Sequence, residues 1–105
     1  MYSDDLIRYA RMDITAPGDD PVQAQNTSCG DTVRLTVDPP GLEVDGCLVC
    51  TAAAKKALEA VQGDEADELR AMDENDFLDF LDWDLSPQRE DCALTVLRAL
   101  RKALQ

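Results

Sequence analysis

Apolar and polar positions switch between helical and strand periods several times along this chain of 105 residues. Residues 3 to 11 open with capping-type Ser3, Asp4 and Asp5 and then place Leu6, Ile7 and Ala10 on one face, which predicts a short amino-terminal helix. The Pro, Gly and Asp content of 16–21 ends it, and the alternation of Pro21-Val22-Gln23-Ala24-Gln25 predicts a weak edge strand. Thr32-Val33-Arg34-Leu35-Thr36-Val37 is the clearest strand, β-branched and alternating, with Val33, Leu35 and Val37 on its inner face. Asp38-Pro39-Pro40-Gly41 then marks a turn, and Leu42-Glu43-Val44-Asp45 alternates again, so an antiparallel hairpin is expected.

From Leu48 the period becomes helical. Residues 48 to 62 are Ala-rich, keep Thr51, Lys55, Lys56, Glu59 and Gln62 on a polar side, and meet Gly63 as a stop signal. Between 64 and 84 stand ten acids against one base, Arg70, yet Leu69, Met72, Phe77, Leu78, Phe80, Leu81 and Trp83 recur at helical spacings. One or two acidic amphipathic helices follow from that pattern. Ser86-Pro87 reads as an N-cap and first helical position, opening a last helix with Ala93, Val96, Leu97, Leu100 and Leu104 as its buried stripe. Arg98, Arg101 and Lys102 suit its carboxyl end. The expected fold class is α+β: a small antiparallel sheet of two or three strands with helices packed on one face, in a single domain spanning 1–105.

Composition narrows the function. Hydrophobic content of 45% supports a globular core despite 30% charged residues. A net charge of -12 argues against nucleic acid as a partner, because phosphate binding needs clustered Lys and Arg. It leaves two readings open, a basic protein partner or acidity that serves only solubility. No long apolar run and an acidic start, Met1-Tyr2-Ser3-Asp4-Asp5, predict neither membrane span nor secretory signal, hence a cytoplasmic protein. In that compartment four cysteines point to free thiols, metal ligation or sulfur chemistry rather than disulfides. The chain has no histidine, so His-dependent catalysis is excluded, and no serine nucleophile elbow or phosphate loop is present.

The chemistry concentrates at Cys29-Gly30-Asp31, Cys47 and Cys92. In the first motif a thiol and a carboxylate stand two residues apart on an expected exposed turn, with glycine allowing the tight bend. Cys47 is expected to open a helix, whose positive end favours the thiolate, and Cys92 lies near the start of the last helix with the same expectation. Three thiolates and one carboxylate suit tetrahedral zinc, and equally a two-iron cluster with one labile position. The intervals match no zinc ribbon or finger, which leaves scattered buried cysteines as the alternative. Cys47-Leu48-Val49-Cys50 is also a CxxC, but no βαβ context accompanies it. Cys50 is either a spare sulfur ligand or a small core residue, with core favoured.

Taken together, these segments resemble the IscU/NifU-type iron-sulfur cluster assembly scaffolds, including their zinc-binding SufU branch. Met1-Tyr2-Ser3 with Leu6-Ile7 resembles the family's opening helix, and Cys29-Gly30-Asp31 before the strand Val33 to Val37 its first ligand motif. Asp45-Gly46-Cys47 before an Ala-rich helix resembles the second, and Leu85-Ser86-Pro87-Gln88-Arg89-Glu90-Asp91-Cys92 the segment around the last cysteine. The resemblance implies a SufE/NifU-like fold over nearly the whole chain. It implies Cys29, Asp31, Cys47 and Cys92 as ligands of a [2Fe-2S] cluster or zinc, with Cys92 as persulfide acceptor. It further implies a cysteine desulfurase and iron-sulfur acceptor proteins as partners. Asp91 stands where the family has histidine, which favours the SufU-like set of three Cys and one Asp. The function expected is therefore a scaffold that accepts sulfur, binds iron and donates the cluster. Two alternatives accompany it: a zinc-bound sulfur acceptor with sulfurtransferase activity, and a non-catalytic zinc-binding interaction module.

Overall fold

A computed structural model describes residues 3–26 and 30–104. Helix α1 (Asp4–Arg11) starts where Ser3 Oγ accepts the Leu6 backbone N–H at 3.2 Å, and it buries Leu6 and Tyr9. Strands β1 (Val22–Asn26), β2 (Asp31–Val37) and β3 (Pro40–Asp45) form one antiparallel sheet in the order β1-β2-β3, so the weak strand is indeed an edge. Ala24 pairs with Val33 and Val22 with Leu35 on one side of β2, while Val44 and Leu42 oppose Val33 and Leu35 on the other. The inner face of β2 therefore carries the apolar set that the alternation predicts.

Two helices cover that face. Helix α2 (Leu48–Ala60) packs against α1 and the last helix, α5 (Pro87–Ala103), while α5 lies over β1 and β2. Val33, Leu35, Val49, Leu58, Val96, Leu97 and Leu100 meet between them, each at most 1% exposed. In α2, Ala52, Ala53, Ala54 and Ala57 are all buried, which explains the Ala-rich stretch: small side chains bring its axis close to its neighbours. The acidic segment forms two short helices, α3 (Ala66–Ala71) and α4 (Glu74–Leu81), that bury Leu69, Phe77 and Leu81.

One boundary differs from the expectations. Pro40 and Gly41 belong to β3 rather than to the turn, because Gly41 is pressed against the Ala16 carbonyl and Leu42 N–H donates to Thr15 at 2.8 Å. A Cβ at Gly41 would collide with that backbone, so glycine is required there for contact rather than for bending. Gly63 does mark the end of the helical run from α2, as expected: Gly63 (φ -88°, ψ 23°) and Asp64 (φ 72°, ψ 21°) are non-helical and kink the chain before α3, with Asp64 rather than the glycine taking the left-handed conformation. No helix among the described residues is long and apolar enough to cross a membrane.

Candidate metal centre

Asp31, Cys47 and Cys92 come from three segments separated in sequence, and their ligand atoms lie within 4.8 Å of one another. Each is delivered by a local feature. Gly30, with φ +76°, donates its N–H to Asn26 O at 2.8 Å and turns the chain into β2, whose first residue is Asp31. Cys47 is the N-cap of α2, with its sulfur accepting the Cys50 backbone N–H at 3.4 Å. Cys92 sits in the second turn of α5, which Ser86 caps and Pro87 opens.

Asp31 is the pivot. The sequence places its motif on an exposed turn, but the residue is 2% exposed. Its Oδ1 accepts the Cys47 backbone N–H at 2.9 Å, which ties the start of β2 to the start of α2. Its Oδ2 is buried and has no hydrogen-bond partner among the described residues. A buried carboxylate oxygen left unsatisfied costs free energy unless a cation or donor occupies the space beside it. Gly46 makes room for this arrangement, since a Cβ there would run into the Asp31 carboxylate. Sequence reading passed over Gly46 as a determinant; the signal for it is its position directly before a ligand cysteine.

Cys47 is half-buried, whereas Cys92 and Cys50 are both 0% exposed. Burial, reinforced by the nearby Asp31 carboxylate and Cys47 sulfur, pushes the Cys92 thiol well above its usual range. This is opposite to the helix-dipole expectation for Cys92: desolvation, together with the neighbouring Asp31 carboxylate and Cys47 sulfur, outweighs a dipole that fades beyond the first turn. The same causes, burial first and then the charges of Asp31 and Cys47, raise the Cys50 thiol to about 12. Cys50 does not belong to the converging group. It fits the expectation of a small buried side chain.

Cys29 lies outside the described residues. Asp91 is exposed, its carbonyl accepting the Thr95 hydroxyl at 3.0 Å, and its carboxylate is not part of the group. The donor set is thus soft sulfur with one hard carboxylate. A tetrahedral zinc with Zn–S near 2.3 Å holds its sulfurs about 3.8 Å apart, so these ligand atoms need only a small contraction to close on an ion. A cavity of about 170 Å³, lined by Gln25, Asn26, Gly30, Asp31 and Thr32, opens beside the carboxylate.

The fold has solved counterparts. One, over 98% of this chain and 96% of the other, at 20% identity and TM-score 0.65, is a candidate iron-sulfur cluster assembly scaffold for the SUF system from the thermophile Fervidobacterium islandicum AW-1. Another, a protein of no assigned function, matches 95% of this chain and 93% of its own at 20% identity and TM-score 0.63. No protein-family model and no curated protein sequence matches the chain. The chain therefore has the SufU-like fold, as its motifs imply.

Proposed function

We propose that this SufU-like chain is an iron-sulfur cluster assembly scaffold. In this reading it accepts sulfur from a cysteine desulfurase, gathers iron on Cys29, Asp31, Cys47 and Cys92, and passes the cluster to acceptor proteins. The observation that carries it is the convergence of Asp31, Cys47 and Cys92 within 4.8 Å, with one buried Asp31 carboxylate oxygen that has no hydrogen-bond partner among the described residues. Cys29, two residues before Asp31, supplies the third thiolate. The cluster is cargo, so one hard oxygen ligand among soft sulfurs serves release as well as binding. Among the described thiols only Cys47 has surface exposure, so incoming sulfur meets it before the buried Cys92.

Anaerobic reconstitution with ferrous iron, cysteine and a desulfurase tests this. Visible charge-transfer bands that fade in Cys47→Ser and Asp31→Ala are expected; a chain that stays colourless beside a colouring control scaffold refutes the reading.

A second reading, a zinc-bound sulfur acceptor, is favoured by the exposed Asp91, which leaves the centre without a nitrogen ligand. Zinc would be held by the same four residues, and its charge would favour their thiolates, reversing the upward push on Cys92. Desulfurase turnover stimulated by the zinc-loaded chain, with no colour on reconstitution, distinguishes this reading from the first.

A further inference from the structure

Cys50 is the described cysteine that the metal centre leaves out. It occupies the third helical position of α2, and its backbone N–H donates to Cys47 Sγ at 3.4 Å. Two thiols thus share the first turn of one helix. In the body of a helix, residues three apart have Cβ atoms about 5–6 Å apart, against about 3.5–4.5 Å across a disulfide. Cys47 is not in the helix body: as N-cap it is extended, with φ -76° and ψ 166°, and rotation there can close the remaining gap. The half-buried member of the pair is Cys47, and the member held in reserve behind it is Cys50, at 0% exposure.

Packing accounts for a small side chain at position 50 but does not call for sulfur there. The next turn of α2 fills its buried positions with Ala52, Ala53 and Ala54, so packing here asks only for a small side chain. Sulfur at this position has a use that a methyl group lacks.

We infer that Cys47 and Cys50 are a dithiol–disulfide couple that reduces sulfane sulfur arriving on Cys47 and releases it as hydrosulfide beside the ligand group. This rests on the reading above that Cys47 receives transferred sulfur. The step balances without a further reagent. Cys50 Sγ bonds to Cys47 Sγ, and the bond from Cys47 Sγ to the terminal sulfur breaks. The terminal sulfur leaves with that electron pair and takes the Cys50 proton. In this step the Cys50 sulfur gives up one electron and the terminal sulfur gains one; counted from two thiols and sulfane sulfur, the pair gives up two electrons and the sulfur gains two. Sulfur leaves at the oxidation level of sulfide, the form thiophilic metals bind. An external dithiol, by ordinary exchange, resets the pair.

The test uses the full metal-free chain, reduced and then freed of reductant, with inorganic polysulfide as probe. Wild type should release about one sulfide per chain more than Cys50→Ala, beyond what the polysulfide sheds on transfer, and end about 2 Da lighter through a disulfide. Both cysteines should then resist alkylation in the tryptic peptide 35–55. Cys50→Ala should instead hold persulfide, about 32 Da heavier, and release only the leaving group of that transfer, without the second sulfide. Cys50→Ser repeats the measurement in a side chain of nearly the same size, so a folding defect in one variant does not decide the outcome. Sulfide release at the wild-type level from either folded variant, or two alkylatable thiols in treated wild type, overturns the couple. No desulfurase or iron is used, so failure of the scaffold reading shows in reconstitution and failure of the couple shows here.

Discussion

Asp5 and Asp31 both join distant parts of the chain, but one carboxylate is saturated and the other is not. Asp5 Oδ1 accepts Arg8 at 3.3 Å, and its Oδ2 accepts Lys56 Nζ at 3.2 Å and Trp83 Nε1 at 3.0 Å. Lys56 in turn donates to the Leu81 carbonyl at 2.9 Å and lies 5.3 to 5.7 Å from the ring centroids of Trp83, Phe80 and Tyr9. This knot fastens α1 and α2 to the acidic helices, and every charge in it has a partner. Asp31 is far more buried, yet one of its oxygens has no hydrogen-bond partner among the described residues. The difference underlies the proposed function: a saturated carboxylate holds elements together, whereas a buried carboxylate oxygen without a partner among the described residues suits a cation.

The sharpest way to break this contrast is to remove each carboxylate and measure zinc. Asp31→Ala should weaken zinc binding by roughly 100-fold or more, while Asp5→Ala leaves it within about twofold. Competition titration against a chromophoric chelator decides it. If both variants bind equally well, Asp31 is a structural residue like Asp5. Zinc at about 100 times its dissociation constant should stabilise wild type by about 2.7 kcal/mol, a melting shift of roughly 10 °C or more that chelation reverses. Asp31→Ala should show almost none of that shift.

Gly46→Ala should come next in size. The added Cβ meets the Asp31 carboxylate, and the cost expected for such overpacking is about 1–3 kcal/mol, read by urea denaturation of the metal-free chain. Zinc affinity should fall with it, because the carboxylate must move. Asp5→Ala should cost about 1–2 kcal/mol by losing hydrogen bonds to partly exposed charged and polar donors.

Much of the fold was legible because its signals are local. Ser3 and Ser86-Pro87 announce helix starts, and Val33 and Leu35 announce the inner face of β2, so α1, α5 and the sheet lie where the pattern puts them. Helix termination was legible too: Gly63 is a standard stop, and the helical geometry breaks there, at Gly63 and Asp64, before α3 begins. The candidate centre was legible as a list of residues: Asp31, Cys47 and Cys92 do converge. Their environments were not, because burial of Asp31 and Cys92 depends on how α5 lies over the sheet, and no spacing encodes that. The Lys56 knot escaped sequence reading for the same reason, with its members Asp5, Tyr9, Phe80 and Trp83 scattered along the chain.

Acid sharpens the comparison in a different way. The Asp5 carboxyl sits below its ordinary value, first through the Trp83 hydrogen bond, with burial as the next largest effect pushing the other way, and then through Lys56 and Arg8. A carboxyl whose folded pKa is depressed lends stability above its unfolded pKa, near 3.8, and loses it as pH falls through the lower folded value. Wild type should therefore lose its advantage over Asp5→Asn as pH drops from about 5 toward 2, the two acid-denaturation curves converging at the low end. Parallel curves throughout would mean that Asp5 contributes no pH-dependent stability.

Trp83→Phe is the mildest and most selective probe of the knot. It keeps an aromatic face beside Lys56 and removes only the indole N–H that reaches Asp5 Oδ2 at 3.0 Å. One hydrogen bond to a charged acceptor at a partly exposed site contributes about 1 kcal/mol, so denaturation should shift by that much or less. Because the Trp83 bond is the largest cause of the lowered Asp5 pKa, the variant should also move the Asp5 titration upward, which carboxyl NMR can follow. Zinc binding should not change, since neither group approaches the ligand set. A shift in zinc affinity would show that the knot and the metal centre are coupled through α2, the helix that carries both Cys47 and Lys56.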